Sequence, residues 1–294
     1  TLIWLGAVNA CTGLNIWQPN TRMPIAHHDF LQRLATTLLN ILPALKMETV
    51  KTPCFFQKID VYYFHETITM GAKVNALLNV AGLCLVLVVN ALANILPING
   101  YNTGQVSGFY PNFFVPAGFT FGIWGIIYLL LIGFVFCSLF AAFGKFNEAA
   151  KTVINKAGPY FLVTCLLNAG WILAWHYLYL GLSVLIMFAF LLVLVLLFLS
   201  IRPYKNEMPF FYRLWVYHPF LVYLGWISVA TIANVTALLV GIGWQGEPLS
   251  APAWSIIMIL IALLLGIFMV GRLKQPAFGF VLSWAFLGIY TKQY

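Results

Sequence analysis

Residues 182–201 read LSVLIMFAFLLVLVLLFLSI and contain no charged side chain. An α-helix rises about 1.5 Å per residue, so about 20 such residues cross the roughly 30 Å hydrocarbon core of a bilayer. The stretch ends at Arg202 and Pro203, where a charge is followed at once by a residue that disfavours helix continuation. These residues are therefore predicted to form a transmembrane helix.

The whole chain is also strongly apolar. Of its 294 residues, 62% are hydrophobic and 7% are charged, whereas a soluble domain carries about 25% charged residues. The net charge of +8 comes from basic residues scattered between apolar runs, without the basic stripe that marks a nucleic-acid-binding surface. Composition thus predicts an all-α integral membrane protein and excludes nucleic acid as a partner.

Hydropathy predicts about seven transmembrane spans after residue 70. They cover about residues 75–96, 115–143, 159–180, 182–201, 219–242, 254–270 and 276–290. Pro159 is placed in the first turn of the third span, where the missing N–H of proline is tolerated. Residues 1–69 hold four of the seven acidic residues and no run long enough to span. We therefore expect residues 1–69 to be an extension outside the fold, with Met70 as the natural start, and residues 70–294 to form the bundle.

The basic residues then test the topology, because they accumulate in cytoplasmic loops. With seven spans, the basic residues after residue 70 all fall on one side of the membrane, except for Lys292. They are Lys73, Lys145, Lys151, Lys156, Arg202, Lys205, Arg213, Arg272 and Lys274. This distribution predicts an inside N-terminus and an outside C-terminus. We expect the location to be a bacterial plasma membrane.

Three spans carry aromatic and amide side chains at helical spacing. The second has Phe121, Trp124 and Tyr128, the third has Thr164, Asn168, Trp171 and Trp175, and the fifth has Tyr223, Trp226, Ala230, Thr231 and Asn234. Each set lies on one side of its helix. If the sides converge they form a ligand cavity in which Ala230 leaves room, and the alternative is that the rings simply pack the core.

Other polar residues are interpreted structurally. Asn75, Asn79, Asn90 and Asn94 are expected to join helices through hydrogen bonds. His176 and His218 are interpreted as residues of the membrane interface without metal-ligand spacing. The uncharged connection at residues 99–114 is either a lid or an ordinary surface loop.

Three segments resemble the tryptophan-rich sensory protein and translocator protein (TspO/MBR) family. Residues 116–124 (PAGFTFGIW) with Tyr128 are similar to its first loop and its second helix with a W-x-x-x-Y signature. Residues 167–171 (LNAGW) resemble its L-N-x-x-W motif, and residues 223–234 (YLGWISVATIAN) resemble the Y-L-x-W-x-x-x-A-T-x-x-N motif of its fifth helix. The resemblance covers about residues 75–242, so it indicates an elongated member with a five-helix core and two extra spans at about 254–290.

The resemblance implies a cavity that is capped by the first loop and binds porphyrins and other flat hydrophobic molecules. Matching positions are held by Trp124, Asn168, Trp171, Trp226, Ala230 and Asn234. Residues 235–238 (VTAL) replace the aromatic and basic pair of the cholesterol motif in animal relatives, so weak sterol binding is expected. Ile172, Leu173 and Trp175 replace paired prolines and a tryptophan of the third helix, which leaves the ligand's identity open.

The leading functional hypothesis is a membrane protein that binds a planar hydrophobic ligand for sensing or transport. The expected ligand-binding residues are Phe121, Trp124, Tyr128, Asn168, Trp171, Trp175, Tyr223, Trp226, Ala230 and Asn234. No cofactor is required, and the expected bound group is a porphyrin or a heme-like molecule. The expected partners are the lipid bilayer, the small hydrophobic ligand and, as an open alternative, a second copy of the chain. The alternative functions are a membrane enzyme that degrades a tetrapyrrole and a structural membrane protein without a ligand.

Overall fold

A computed structural model of the chain describes residues 71–96, 98–244 and 249–293. The predicted extension at residues 1–69 and the assignment of Met70 as the natural start lie outside the described residues. The α-helices are α1 (Ala72–Asn94), α2 (Thr103–Gly108), α3 (Ile123–Phe143), α4 (Glu148–His176), α5 (Leu180–Ile201), α6 (Phe210–Tyr212), α7 (His218–Gly241), α8 (Ala251–Ile267) and α9 (Pro276–Gln293). Short 3₁₀ helices at Ile98–Gly100, Gly118–Gly122 and Arg202–Glu207 and π-helical turns at Arg213–Tyr217 and Phe268–Arg272 complete the described secondary structure.

Five long helices form a closed ring. Along the ring α3 packs on α1, α1 on α4, α4 on α5 and α5 on α7, and α7 returns to α3. Helix α9 packs on the outside of α7, and α8 contacts α9. The prediction of an all-α membrane protein is confirmed.

The predicted seventh span, α9, differs in composition from the other six. Six helical segments of the described residues are long and apolar enough to cross a membrane. Helix α9 has 18 residues but is not among them, because its last turn is polar and ends in Lys292 and Gln293. It nevertheless follows the predicted seventh span almost residue for residue.

The third span also begins earlier than predicted. Helix α4 begins at Glu148, so Pro159 lies inside the helix instead of in its first turn. The Asn147 side chain caps this helix by accepting a hydrogen bond of 3.0 Å from the Ala150 amide. The negative charge of Glu148 in the first turn interacts favourably with the positive end of the helix dipole. These local signals override the hydropathy boundary, which reports where the apolar run starts and not where the helix starts.

Asparagines join the helices within the bundle, in agreement with their structural interpretation. Asn79 of α1 donates a hydrogen bond of 3.0 Å to the Ser138 hydroxyl of α3. Asn90 of α1 donates one of 2.7 Å to the amide oxygen of Asn168 on α4. Such bonds stabilise helix association because hydrocarbon offers no other partner.

Several basic segments meet at one end of the bundle. The Lys73 ammonium lies 5.6 Å from the ring centre of Phe143, and that of Lys156 lies 5.6 Å from the ring centre of Tyr204. Lys205 donates a hydrogen bond of 2.6 Å to the carbonyl of Lys274, just before α9. At the other end of α9, the Gln293 amide donates one of 3.2 Å to the Phe113 carbonyl. Helix α9 therefore runs from the basic end toward the connection between α1 and α3.

Candidate functional site

A cavity of about 50 Å³ lies between α4, α7, α9 and the connection from α1 to α3. Its walls are almost entirely apolar and carry no charged side chain. The lining residues are Ser107, Phe114, Pro116, Phe121, Trp171, Trp175, Trp226, Val229, Ala230, Ala233, Asn234, Ala285 and Ile289.

Two helices of the ring supply the aromatic and amide walls. On α4, the rings of Trp171 and Trp175 stack with centroids 5.9 Å apart and planes at 20°. On α7, Trp226, Ala230 and Asn234 follow one another at four-residue steps, which places them on one helix face. All five residues line the cavity.

The structure separates the ten residues expected to bind ligand into two groups. Six of them line the cavity: Phe121, Trp171, Trp175, Trp226, Ala230 and Asn234. The other four, Trp124, Tyr128, Asn168 and Tyr223, do not line it and form a neighbouring cluster behind its wall. This difference arises because the faces of α3, α4 and α7 converge only in part.

That cluster is held together by ring contacts and hydrogen bonds. Trp124 stacks on Tyr128 at 5.6 Å and meets the edges of Tyr223 at 5.9 Å and Trp226 at 6.2 Å. The Asn168 amide donates a hydrogen bond of 3.2 Å to the Tyr223 hydroxyl and accepts the bond from Asn90. Asn168 is thus occupied by protein partners, and the cluster supports Trp226 from behind.

The connection from α1 to α3, residues 98–122, folds back over the end of α4, and we call it the lid. Asn99 and Gly100 reverse the chain with positive φ angles of 58° and 83°. The Asn99 side chain donates a hydrogen bond of 3.0 Å to the His176 carbonyl, and the Trp175 indole donates one of 3.3 Å to the Thr103 carbonyl. Of the two sequence interpretations, the structure favours a lid.

His176, at the end of α4, fastens the lid to this helix. It is fully buried, with Nδ1 lying 3.2 Å from the Ile98 carbonyl and Nε2 lying 3.1 Å from the Thr103 hydroxyl. Because a carbonyl only accepts, Nδ1 carries a proton and donates it to the Ile98 carbonyl. The sequence places His176 at the helix end but does not show that the lid covers it.

Helix α9 holds the other side of the lid. The Trp284 indole donates a hydrogen bond of 2.9 Å to the Thr120 carbonyl, and its ring meets Phe119 edge-on at 5.5 Å. Ala285 and Ile289 of the same helix reach the cavity wall. Sequence reasoning missed these two residues because it treated this helix as additional to the core. The only local signal was the pair of small residues, Ala285 and Gly288, on one helix face.

The ring of helices, the lid and the aromatic cavity that α4 and α7 form with α9 and the lid define a helical membrane protein with an apolar pocket. The chain belongs to the TSPO-like protein family, whose model matches residues 76–294. The matched residues include α8 and α9, so the relationship extends beyond the first five spans on which the motifs lie. No curated protein and no solved structure gives a match to the chain.

Proposed function

We propose that this protein binds a planar hydrophobic molecule, with tetrapyrroles such as porphyrins as the leading class, and that it serves in sensing or transport. The observation that carries the proposal is the cavity bounded by the indoles of Trp171, Trp175 and Trp226 beside the small residue Ala230. Indoles offer large flat surfaces on which a planar ring system stacks favourably. The apolar lining suits a ligand that arrives from the bilayer.

A tetrapyrrole is larger than this cavity, so its binding requires part of the protein to move. A cavity of about 50 Å³ holds a few water molecules, since one water molecule needs roughly 10–15 Å³ of cavity volume. Pockets for drug-sized ligands occupy about 300–1,000 Å³. Binding of a tetrapyrrole therefore requires the lid or α9 to separate from α4 and α7. This opening breaks hydrogen bonds of the lid, each of which contributes about 0.5–1.5 kcal/mol, and exposes buried side chains such as Phe114 of the lid and Val281 of α9.

A second candidate is an enzyme that breaks down a tetrapyrrole. It is favoured by the stacked pair of Trp171 and Trp175, because neighbouring indoles are oxidisable groups in contact with the cavity. The simpler proposal remains binding without covalent chemistry. The arrangement of side chains around the cavity offers no nucleophile with an adjacent base.

Titration of the purified protein with protoporphyrin IX tests these possibilities. A saturable shift in the porphyrin absorbance, in the dark and without loss of the porphyrin spectrum, supports binding. Conversion of the porphyrin in light and oxygen, dependent on Trp171 and Trp175, favours the enzyme. Absence of any shift with protoporphyrin IX and with its uncharged dimethyl ester, in a protein shown to be folded by thermal unfolding, overturns both. The variant Trp244→Ala provides a control, because Trp244 does not line the cavity.

A further inference from the structure

Two buried indole N–H groups at the cavity have no hydrogen-bond partner. Trp171 is 5% exposed and Trp226 is 4% exposed, and neither Nε1 atom finds an acceptor among the described residues. A buried donor that is left unpaired costs free energy comparable to a lost hydrogen bond. These two donors come from different helices, α4 and α7, and both residues line the same cavity.

Among the described residues, none of the other polar groups around the cavity accepts a hydrogen bond from these two donors. The Asn234 amide oxygen accepts a hydrogen bond of 2.7 Å from the Ser183 hydroxyl, so the NH₂ group of this amide remains as a further donor. The Trp175 indole already donates to the Thr103 carbonyl. Most of the remaining lining consists of apolar side chains such as Phe114, Val229 and Ile289. The Ser107 hydroxyl both donates and accepts, so the side chains of the lining offer more donors than acceptors.

The absence of charged side chains in the lining further restricts which ligand groups the cavity can bind. No Lys, Arg or His lines the cavity, and a carboxylate buried without a cation is strongly disfavoured. A neutral carbonyl oxygen accepts from an indole N–H without this penalty. Walls with more donors than acceptors also disfavour a ligand edge that carries N–H or O–H groups, because most of those groups would remain unpaired.

We infer that the ligand of this cavity is a planar hydrophobic molecule whose edge carries an uncharged carbonyl acceptor without a donor, such as an ester, bound by the indole N–H groups of Trp171 and Trp226. This inference rests on the proposed binding function and adds the acceptor requirement to it. The stacked surfaces provide affinity for any flat molecule, and the two donors select those that accept hydrogen bonds. Trp171 and Trp226 are thereby assigned as specificity-determining residues.

The experiment compares two porphyrins of similar shape. Protoporphyrin IX dimethyl ester carries uncharged ester carbonyls, and etioporphyrin carries only alkyl groups. The double variant Trp171→Phe/Trp226→Phe keeps two aromatic rings and removes both N–H groups. We expect it to bind the dimethyl ester about tenfold more weakly than the wild-type protein does, and to bind etioporphyrin with unchanged affinity. The single variants, which are less disruptive to folding, are each expected to weaken binding of the ester about threefold.

Trp254→Phe is the matched control. Its indole Nε1 is also buried and has no partner in the part of the chain that the structure describes. Trp254 belongs to α8 and does not line the cavity, so neither affinity is expected to change. If the double and single variants lost affinity equally for both porphyrins, contact with the aromatic rings alone would determine binding. This result would overturn the acceptor requirement and leave the proposed binding function intact. Failure of the wild-type protein to bind either porphyrin would overturn both.

Discussion

The backbone amide of Ala117 in the lid donates a hydrogen bond of 2.9 Å to the carbonyl of Gly288 on α9. At this point the two backbones approach so closely that a Cβ atom on Gly288 would collide with the Thr120 side chain. The lid is therefore held between α4 on one side and α9 on the other. Its position depends on a glycine near the other end of the sequence.

Replacement of this glycine should loosen the lid. We expect Gly288→Val to destabilise the protein by about 1–3 kcal/mol, the usual cost of overpacking, and to lower the midpoint of thermal unfolding in detergent. Gly125→Ala is the control, because a Cβ atom there has no neighbour within 4 Å, and alanine in a helix is favoured over glycine by about 0.5–1 kcal/mol. A Gly288→Val protein as stable as the Gly125→Ala protein would contradict the close packing of α9 on the lid.

Filling the cavity should block ligand binding without unfolding the protein. Ala230 lines the cavity and is only partly buried, so we expect Ala230→Phe to abolish the absorbance shift of a bound porphyrin while the unfolding midpoint changes little. Porphyrin titration and thermal unfolding are measured on the same sample.

Ala237 provides the comparison on the same helix. It is 4% exposed and does not line the cavity, so Ala237→Phe should cost about 1–3 kcal/mol of stability as an overpacked core residue does. Normal binding in a stable Ala230→Phe protein would place the ligand elsewhere.

Loss of the His176 side chain should release the lid from α4. His176→Phe retains an aromatic ring but removes the contacts with the Ile98 carbonyl and the Thr103 hydroxyl. The expected cost is about 1–3 kcal/mol because buried partners are left unpaired. Hydrogen exchange measured by mass spectrometry should accelerate in residues 98–108.

His218→Phe is the matched histidine control. The Nδ1 atom of His218 makes no hydrogen bond within the part of the chain that the structure describes. Its replacement should leave exchange in residues 98–108 unchanged. Equal acceleration in both variants would mean that His176 does not fasten the lid.

Cysteine labelling tests the predicted orientation, which follows from the one-sided distribution of Lys and Arg. With a membrane-impermeant maleimide on intact cells, Glu247→Cys should be labelled and Lys151→Cys should not, after the native cysteines have been replaced. Equal labelling at both positions would contradict the inside N-terminus.

The same assay decides whether α9 crosses the bilayer. If it does, Lys292→Cys should also be labelled from outside. Labelling of Lys292→Cys only after the membrane is permeabilised would contradict this placement, in which Gln293 contacts Phe113 of the lid. Labelling of permeabilised cells with the same maleimide is the control. It shows that each cysteine reacts when the reagent can reach it.

The sequence alone was sufficient for the fold class and for much of the cavity. Uncharged runs such as residues 182–201 have no stable place except across a bilayer, and the helical repeat fixes which side chains share a face. For this reason the four-residue steps from Trp226 to Asn234 predicted one wall of the cavity. The helix start at Glu148 was also within reach, since Asn147 is a favourable capping residue.

Only the tertiary structure decided which of these faces meet. Periodicity gives the direction of a side chain relative to its own helix but not the rotation of that helix against its neighbours. Asn168 and Tyr223 therefore pair behind the cavity wall, although their spacing matched that of residues that line it. His176 under the lid and Ile289 in the cavity wall depend on contacts between segments far apart in the sequence, and no local pattern records such contacts.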